Sequence, residues 1–247
     1  MTLDFRGKTV AVSGAALGFG RAIGASFAAA GAHVYGCDIL KAPDDGAPIS
    51  LAKVDLLDRQ AAAQWIASIE SETGGSVDVL VCNAGGVAGQ AHRPFEEVGD
   101  EDWNRVIEIN LGSTFSLCRA AAPGMKRARQ GAIVTISSGA ALQASLTGVQ
   151  AYCSAKHAVL GLTRQLAHEL GPYGIRVNSV APGFVQTNPA TERQWASYSP
   201  EKQRQIVDSV ALKRLGTPEE IAKVTMFLAS DLASFVNGQI VSVDGGR

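Results

Sequence analysis

Tyr152 and Lys156 stand four residues apart in the run Tyr-Cys-Ser-Ala-Lys, a spacing that puts both side chains on one face of a helix. A free tyrosine titrates near ~10, too high for a base at neutral pH. An ammonium group beside the phenol favours its ionised form, and a cationic ligand adds to that effect, so the pair can supply a general base. Any ordinary helix that carries the two residues has the same spacing, so its meaning depends on what the rest of the chain brings to it.

The elements that must position this pair alternate between strand and helix. Lys8 to Ser13 is apolar and β-branched, as a buried parallel strand is, and it runs into Gly14-Ala15-Ala16-Leu17-Gly18-Phe19-Gly20 and then an Ala-rich helical stretch. Strand, glycine turn and helix in this order let backbone N–H groups approach a pyrophosphate at the helix N-terminus. Asp38 closes the second strand, His33 to Cys37, where a carboxylate accepts hydrogen bonds from an adenosine ribose and repels a 2′-phosphate. That placement favours NAD as the dinucleotide.

Residues 40–48 read as a surface loop, Ile49 to Val54 as a third strand and Asp58 to Thr73 as a helix with Ala62, Trp65, Ile66 and Ile69 inward. Val77 to Cys82 is a fourth strand ending in Asn83-Ala84-Gly85-Gly86, small residues against which a flat ligand can lie. Asp100 or Asp102 caps a helix towards Asn110, and a separate helix spans Gly112 to Arg129. Asn110 interrupts an apolar pattern, so it is a kink, a cap or a site residue with partners of its own. Ala132 to Ile136 is the fifth strand, ending at Ser137-Ser138, and a flexible loop, Gly139 to Ala151, leads to the Tyr152 helix, which runs to Leu170. Ile175 to Val180 is the sixth strand, followed by Pro182-Gly183-Phe184-Val185-Gln186-Thr187. Residues 188–205, within a lid extending to about 215, read as polar and irregular; Thr217-Pro218-Glu219-Glu220 starts a capped helix, and Gln239 to Val243 is the last strand. The pattern predicts one parallel, doubly wound α/β sheet of about seven strands over residues 1–247, with the special stretches at the carboxyl ends of the strands.

Composition narrows the partners. Of 247 residues, 46% are hydrophobic and 18% charged, and the net charge is -1, so a packed core is expected and nucleic acid is not. Cys37, Cys82, Cys118 and Cys153 lie far apart, and His33, His92, His157 and His168 have no ligand spacing, so neither a disulfide framework nor a metal site is expected. The start of the chain is not that of a signal peptide and no apolar run reaches the ~18 residues of a membrane span, which fits a soluble cytoplasmic protein. Cys153 and His157, adjacent to the pair, are expected to face elsewhere.

Taken in order, these motifs resemble those of the short-chain dehydrogenases/reductases over essentially the whole chain. Ser13-Gly14-x-x-x-Gly18-x-Gly20 is similar to the family's Thr-Gly-x-x-x-Gly-x-Gly, with Ser for Thr, and Cys82-Asn83-Ala84-Gly85 to its Asn-Asn-Ala-Gly, with Cys for the first Asn. The resemblance implies a Rossmann fold and a tetrad of Asn110, Ser138, Tyr152 and Lys156. Ser138 lies 14 residues before Tyr152, one more than usual in the family, and Ser137 is the fallback. It further implies contacts to the dinucleotide from Ser13, Gly14, Leu17, Gly18, Phe19, Gly20, Asp38, Ile39, Asp55, Leu56, Asn83, Ala84, Gly85, Tyr152 and Lys156, with Pro182, Gly183, Val185 and Thr187 at the nicotinamide end. NADP-dependent members often carry Arg or Lys where Leu17 stands, which again points to NAD. By the same resemblance Tyr152 exchanges the hydroxyl proton, Ser138 holds the substrate oxygen, Lys156 lowers the Tyr152 pKa and holds the ribose, and Asn110 positions a water. A homotetramer packed through helices 112–129 and 152–170 and the C-terminal strand is also implied.

Substrate residues are expected in Gln143, Ser145 and Gln150 before Tyr152 and in Asn188, Thr191, Arg193 and Trp195 after Thr187. Their polarity favours a sugar, polyol or small hydroxy acid, and Arg193 can pair with a carboxylate. The alternatives are a 3-oxoacyl thioester reductase, a steroid-type dehydrogenase and, from a different class, a nucleotide-binding scaffold without turnover.

Overall fold

The computed structural model describes residues 3–41 and 46–247. Seven strands pair in parallel: β1 (Thr9–Ser13), β2 (His33–Asp38), β3 (Ile49–Lys53), β4 (Val79–Cys82), β5 (Gly131–Ile136), β6 (Ile175–Pro182) and β7 (Ile240–Val243). They form one sheet in the order β3-β2-β1-β4-β5-β6-β7. The order reverses between β1 and β4, and in such sheets the crevice outside the strand ends at this point takes the ligand.

Both faces of the sheet are covered, which is why its central strands are apolar without alternation. Leu80 of β4 packs with Ile66 of α2 (Arg59–Thr73), Leu117 and Met125 of α4 (Ser113–Ala128) and Leu170 of α5 (Gln150–Leu170). Val79 and Val81 of the same strand point the other way, into a cluster with Ile23 and Phe27 of α1 (Gly18–Ala29) and Ile221 and Leu228 of α8 (Pro218–Ala229). Each of these buried side chains contributes about 1.5–3 kcal/mol relative to exposure.

Several boundaries differ from the sequence-based expectation, each for a local reason. The helix α3 (Asp100–Ile107) is capped by the extended Gly99, not by Asp100 or Asp102. The three acids from Asp100 to Asp102 instead fill its first turn, where the helix dipole favours negative charge. The helices expected on either side of Asn110 are continuous, because a single π turn, Glu108–Gly112, joins α3 to α4. Gly139–Ala141 forms a single tight turn within the expected flexible loop, and α5 already begins at Gln150. Residues 188–205, expected to be irregular, form α6 (Pro189–Ser197) and α7 (Pro200–Ser209). Asn188 and Ser199 cap them, each followed by Pro at the first helical position, a start signal that the polar composition concealed. The loop expected over 40–48 lies partly outside the described residues, as do Met1 and Thr2.

Candidate active site

The glycine turn is braced from both sides. Gly14 and Ala15 donate N–H bonds to the Cys37 carbonyl at 2.8 and 3.1 Å, and Asn83 Nδ2 donates to the Ser13 and Gly14 carbonyls at 3.0 and 3.1 Å. Ser13 Oγ accepts the Asn83 and Ala84 N–H groups at 2.9 and 3.0 Å. Gly14 has φ +67° and a Cβ there would press on Asn83 and Ala84, while a Cβ at Gly20 would collide with the Gly14 carbonyl. Glycine is therefore required for the turn to close against the end of β4. Asp38 accepts the Ala16 N–H on Oδ2 and the Leu40 N–H on Oδ1, both at 3.0 Å, so its carboxylate is oriented before any ligand arrives and keeps lone pairs for ribose hydroxyls.

These groups wall a crevice of about 400 Å³. Gly14, Leu17, Gly18, Phe19, Asp38, Ile39, Leu56, Asn83, Ala84 and Gly85 all line it, together with Tyr152, Lys156 and Thr187. No arginine does so among the described residues. The bare backbone cradle, the fixed carboxylate and the apolar side walls fit a nicotinamide dinucleotide. Asp55 is exposed and turned to its own loop, accepting the Leu57 N–H at 2.9 Å, and Val54 stands on the wall beside Leu56. Ser13 and Gly20 support the turn from behind. Gly183, Phe184 and Val185 line a separate cavity. Leu40 and Ile136 on the wall had no sequence signal beyond their place at strand ends, and Ile109 none beyond its place beside Asn110.

At the inner end of the crevice Lys156 is 5% exposed and donates from Nζ to the Ile136 carbonyl at 2.9 Å. Burial lowers its pKa from 10.5 to about 8. Tyr152 keeps part of its surface open to the crevice, yet packing around the phenol raises its pKa, and a hydrogen-bonding interaction with Ser138 works in the opposite direction. The expected lowering of the phenol pKa by Lys156 is not what the chain alone shows: burial sets the direction and Ser138 supplies the opposing contact. Ser138 Oγ also accepts the Ala140 N–H at 3.1 Å, whereas Ser137 Oγ donates to the Lys156 carbonyl at 3.1 Å. Ser138 therefore faces the phenol and Ser137 braces α5.

Asn110 spends its amide on the crevice floor. Its Nδ2 donates to the Gly86 and Val106 carbonyls, both at 2.8 Å, and its Oδ1 accepts the Gly86 N–H at 3.0 Å. The π turn makes this possible by setting a buried amide where a regular helix would run on. Neither Cys153 nor His157 lines the crevice: Cys153 Sγ lies 3.1 Å from the Ala140 carbonyl, and His157 Nδ1 lies 2.9 Å from the Cys153 carbonyl. No group of three His, Cys, Asp or Glu side chains is arranged to hold a metal ion among the described residues.

Most of the expected substrate residues are engaged within the chain. Gln150 Nε2 donates to the Arg93 carbonyl at 3.0 Å, and Ser145 Oγ lies 2.7 Å from Thr147 Oγ1. Asn188 and Thr191 form the capping box of α6 and line the dinucleotide crevice. Gln143 and Arg193 are exposed. The lid segment instead gathers aromatic surface: the Phe184 and Trp195 rings stack at 5.5 Å, and Tyr198 meets Trp195 edge-on at 6.4 Å.

A crevice of this kind at the reversal point of a parallel sheet defines a dinucleotide-binding α/β protein. The comparisons refine the class. A family described as enoyl-(acyl carrier protein) reductase matches residues 14–247. The chain is 38% identical to the 3-oxoacyl-[acyl-carrier-protein] reductase of Thermotoga maritima, covering 99% of both chains. The ligand-free aldohexose dehydrogenase of Thermoplasma acidophilum superposes with a TM-score of 0.90 at 33% identity, covering 100% of this chain and 96% of that one. A 7α-hydroxysteroid dehydrogenase, solved with NADH and 7-oxo glycochenodeoxycholic acid, superposes with a TM-score of 0.87 at 34% identity, covering 99% and 95%. The chain belongs to the short-chain dehydrogenases/reductases and is an oxidoreductase of that family.

Proposed function

We propose that the chain interconverts a secondary alcohol and a ketone with NAD(H), and that its substrate is a 3-oxoacyl thioester or the matching 3-hydroxyacyl thioester. The chemistry is carried by one observation: Tyr152 and Lys156 share a crevice with the glycine turn and Asp38. Bound nicotinamide supplies or accepts the hydride. In reduction the Tyr152 phenol gives its proton to the carbonyl oxygen as that oxygen becomes a hydroxyl, and the resulting phenolate is stabilised by the Lys156 ammonium nearby. Ser138 donates a hydrogen bond to the same oxygen as its charge grows. Asn110 holds the floor formed by Gly86, and Lys156 is fixed by Ile136, so these groups need little rearrangement during the reaction.

The dinucleotide reading rests on Asp38 and on the absence of an arginine from the described crevice wall. The substrate reading turns away from the sugar, polyol or hydroxy acid expected from sequence. The Thermotoga relative acts, by its name, on a 3-oxoacyl carrier protein. The polar groups of Ser145, Gln150, Asn188 and Thr191 are satisfied within the chain, and Trp195 and Tyr198 of the lid pack with Phe184 before it, an aromatic surface that suits an acyl chain better than a polyol. The aldohexose dehydrogenase likeness supports the sugar as the second reading. The exposed Phe115, Phe227 and Phe235 suit the subunit faces of a homotetramer, which sedimentation would measure.

The test is turnover of the purified chain on a short 3-oxoacyl thioester, an aldohexose and a hydroxysteroid, each with NAD(H) and with NADP(H). The expected result is turnover of the thioester with NADH. Turnover of the sugar alone transfers the assignment to the second reading, and dependence on NADPH overturns the reading of Asp38.

A further inference from the structure

Thr191 and Asn188 stand where α6 begins, and the same two residues line the dinucleotide crevice. Thr191 Oγ1 accepts the Thr187 N–H at 2.8 Å and the Asn188 N–H at 3.1 Å, and it donates to the Asn188 carbonyl at 3.0 Å. Asn188 Oδ1 accepts the Ala190 and Thr191 N–H groups at 2.9 and 3.1 Å, and its Nδ2 donates to Thr187 Oγ1 at 3.2 Å. Thr187 in turn leans on the glycine turn: a Cβ at Gly18 would lie 3.2 Å from Thr187 Oγ1.

We infer that Thr191 is a positioning residue for the dinucleotide, acting by fixing the backbone of Thr187 and Asn188 on the crevice wall against Gly18, the stretch that the family resemblance sets at the nicotinamide end. This rests on the reading that the crevice holds a nicotinamide dinucleotide. A helix cap needs only one side-chain acceptor for its N–H groups. Here the hydroxyl of the third helical residue reaches back past the cap to a second N–H, that of Thr187, which lies outside the helix. This extra bond contributes to the shape of the crevice wall as well as to the helix. It also places the start of the lid under the control of the segment that meets the ligand, so ligand binding and the order of α6 are coupled.

Replacing Thr191 with Val keeps the shape of the side chain and removes the hydroxyl. The affinities to measure are those for NADH and for AMP, which reaches only the Asp38 end, in the parent chain, T191V and T191S. The expected result is a loss of about tenfold or more in NADH affinity for T191V, unchanged AMP affinity, and recovery in T191S, which restores the hydroxyl. A purely structural cap would lower both affinities together or neither, and either pattern overturns the inference. Should T191V fail to fold, N188A, which frees Thr187 Oγ1, takes its place with the same expected split. Failure of the parent chain itself to bind NADH overturns the dinucleotide reading and this inference with it, whereas undiminished NADH binding by a folded T191V overturns the inference alone.

Discussion

Lys156 Nζ lies 5.7 Å from the centroid of the Tyr152 ring while hydrogen-bonded to the Ile136 carbonyl at 2.9 Å. The ammonium is thus held beside the phenol by the end of β5, not by the phenol itself. Two consequences can be separated experimentally, one for turnover and one for stability.

For turnover, Y152F removes the exchangeable proton and leaves the ring in place. Its kcat is expected to fall by about 10²–10⁴, with NADH affinity nearly unchanged by fluorescence titration. S138A is expected to lose about 10²–10³ in kcat. S137A should keep kcat and lose about 1 kcal/mol of stability with the bond to the Lys156 carbonyl. Equal kcat losses for the two serine variants would contradict the geometry of Ser138.

For stability, burial holds the Lys156 pKa at about 8 in the folded chain against 10.5 in the unfolded one. Between these values the unfolded chain binds more protons, so this group makes the fold more stable as pH rises from about 8 to 10.5. Below pH 8 its burial costs roughly 3 kcal/mol. K156M should therefore unfold at higher urea than the parent at pH 7, with the difference shrinking by pH 10, while its turnover is lost. A K156M that is less stable than the parent at pH 7 would show that the bond to Ile136 outweighs the burial of charge.

Asp38 both fixes the turn and faces the crevice. D38A orphans the Ala16 and Leu40 N–H groups, so a loss of about 1–3 kcal/mol in stability is expected together with weaker NADH binding. The ratio of NADPH to NADH affinity should rise, because the carboxylate no longer repels a 2′-phosphate. An unchanged ratio would remove Asp38 from cofactor choice.

What the sequence disclosed and what it withheld follow the range of the interactions. The alternation of apolar runs and glycine turns is local, and it placed all seven strands and the crevice-lining residues from Gly14 to Asp38. The choice between Ser137 and Ser138 depended on which hydroxyl turns towards the Tyr152 phenol, which a one-residue change in spacing could not decide. Substrate residues were the least legible. Ser145, Gln150, Asn188 and Thr191 look free as a sequence, but their partners are a neighbouring hydroxyl, a carbonyl of another loop and a helix start. Of the expected adenine pair Asp55 and Leu56, Leu56 is on the wall and Asp55 is not, and Val54 takes its place, since alternate residues at a strand end face opposite ways.

Asn110 provides the sharpest test of the π turn. Its two N–H donors meet carbonyls of Gly86 and Val106, and its oxygen meets the Gly86 N–H. N110D keeps size and shape but sets a carboxylate oxygen against both carbonyls, an arrangement that is repulsive unless the acid takes up a proton. A destabilisation of about 1–3 kcal/mol is expected, larger at pH 8 than at pH 5, where protonation restores one donor. Because Gly86 lines the crevice and the adjoining Gly85 stands against Asn110 and Lys156, NADH affinity should fall in the same pH-dependent way. If N110D were as stable as the parent at pH 8, the clamp on Gly86 would not be what holds the floor, and the π turn would have to be explained by the packing of Val106 and Ile109 alone.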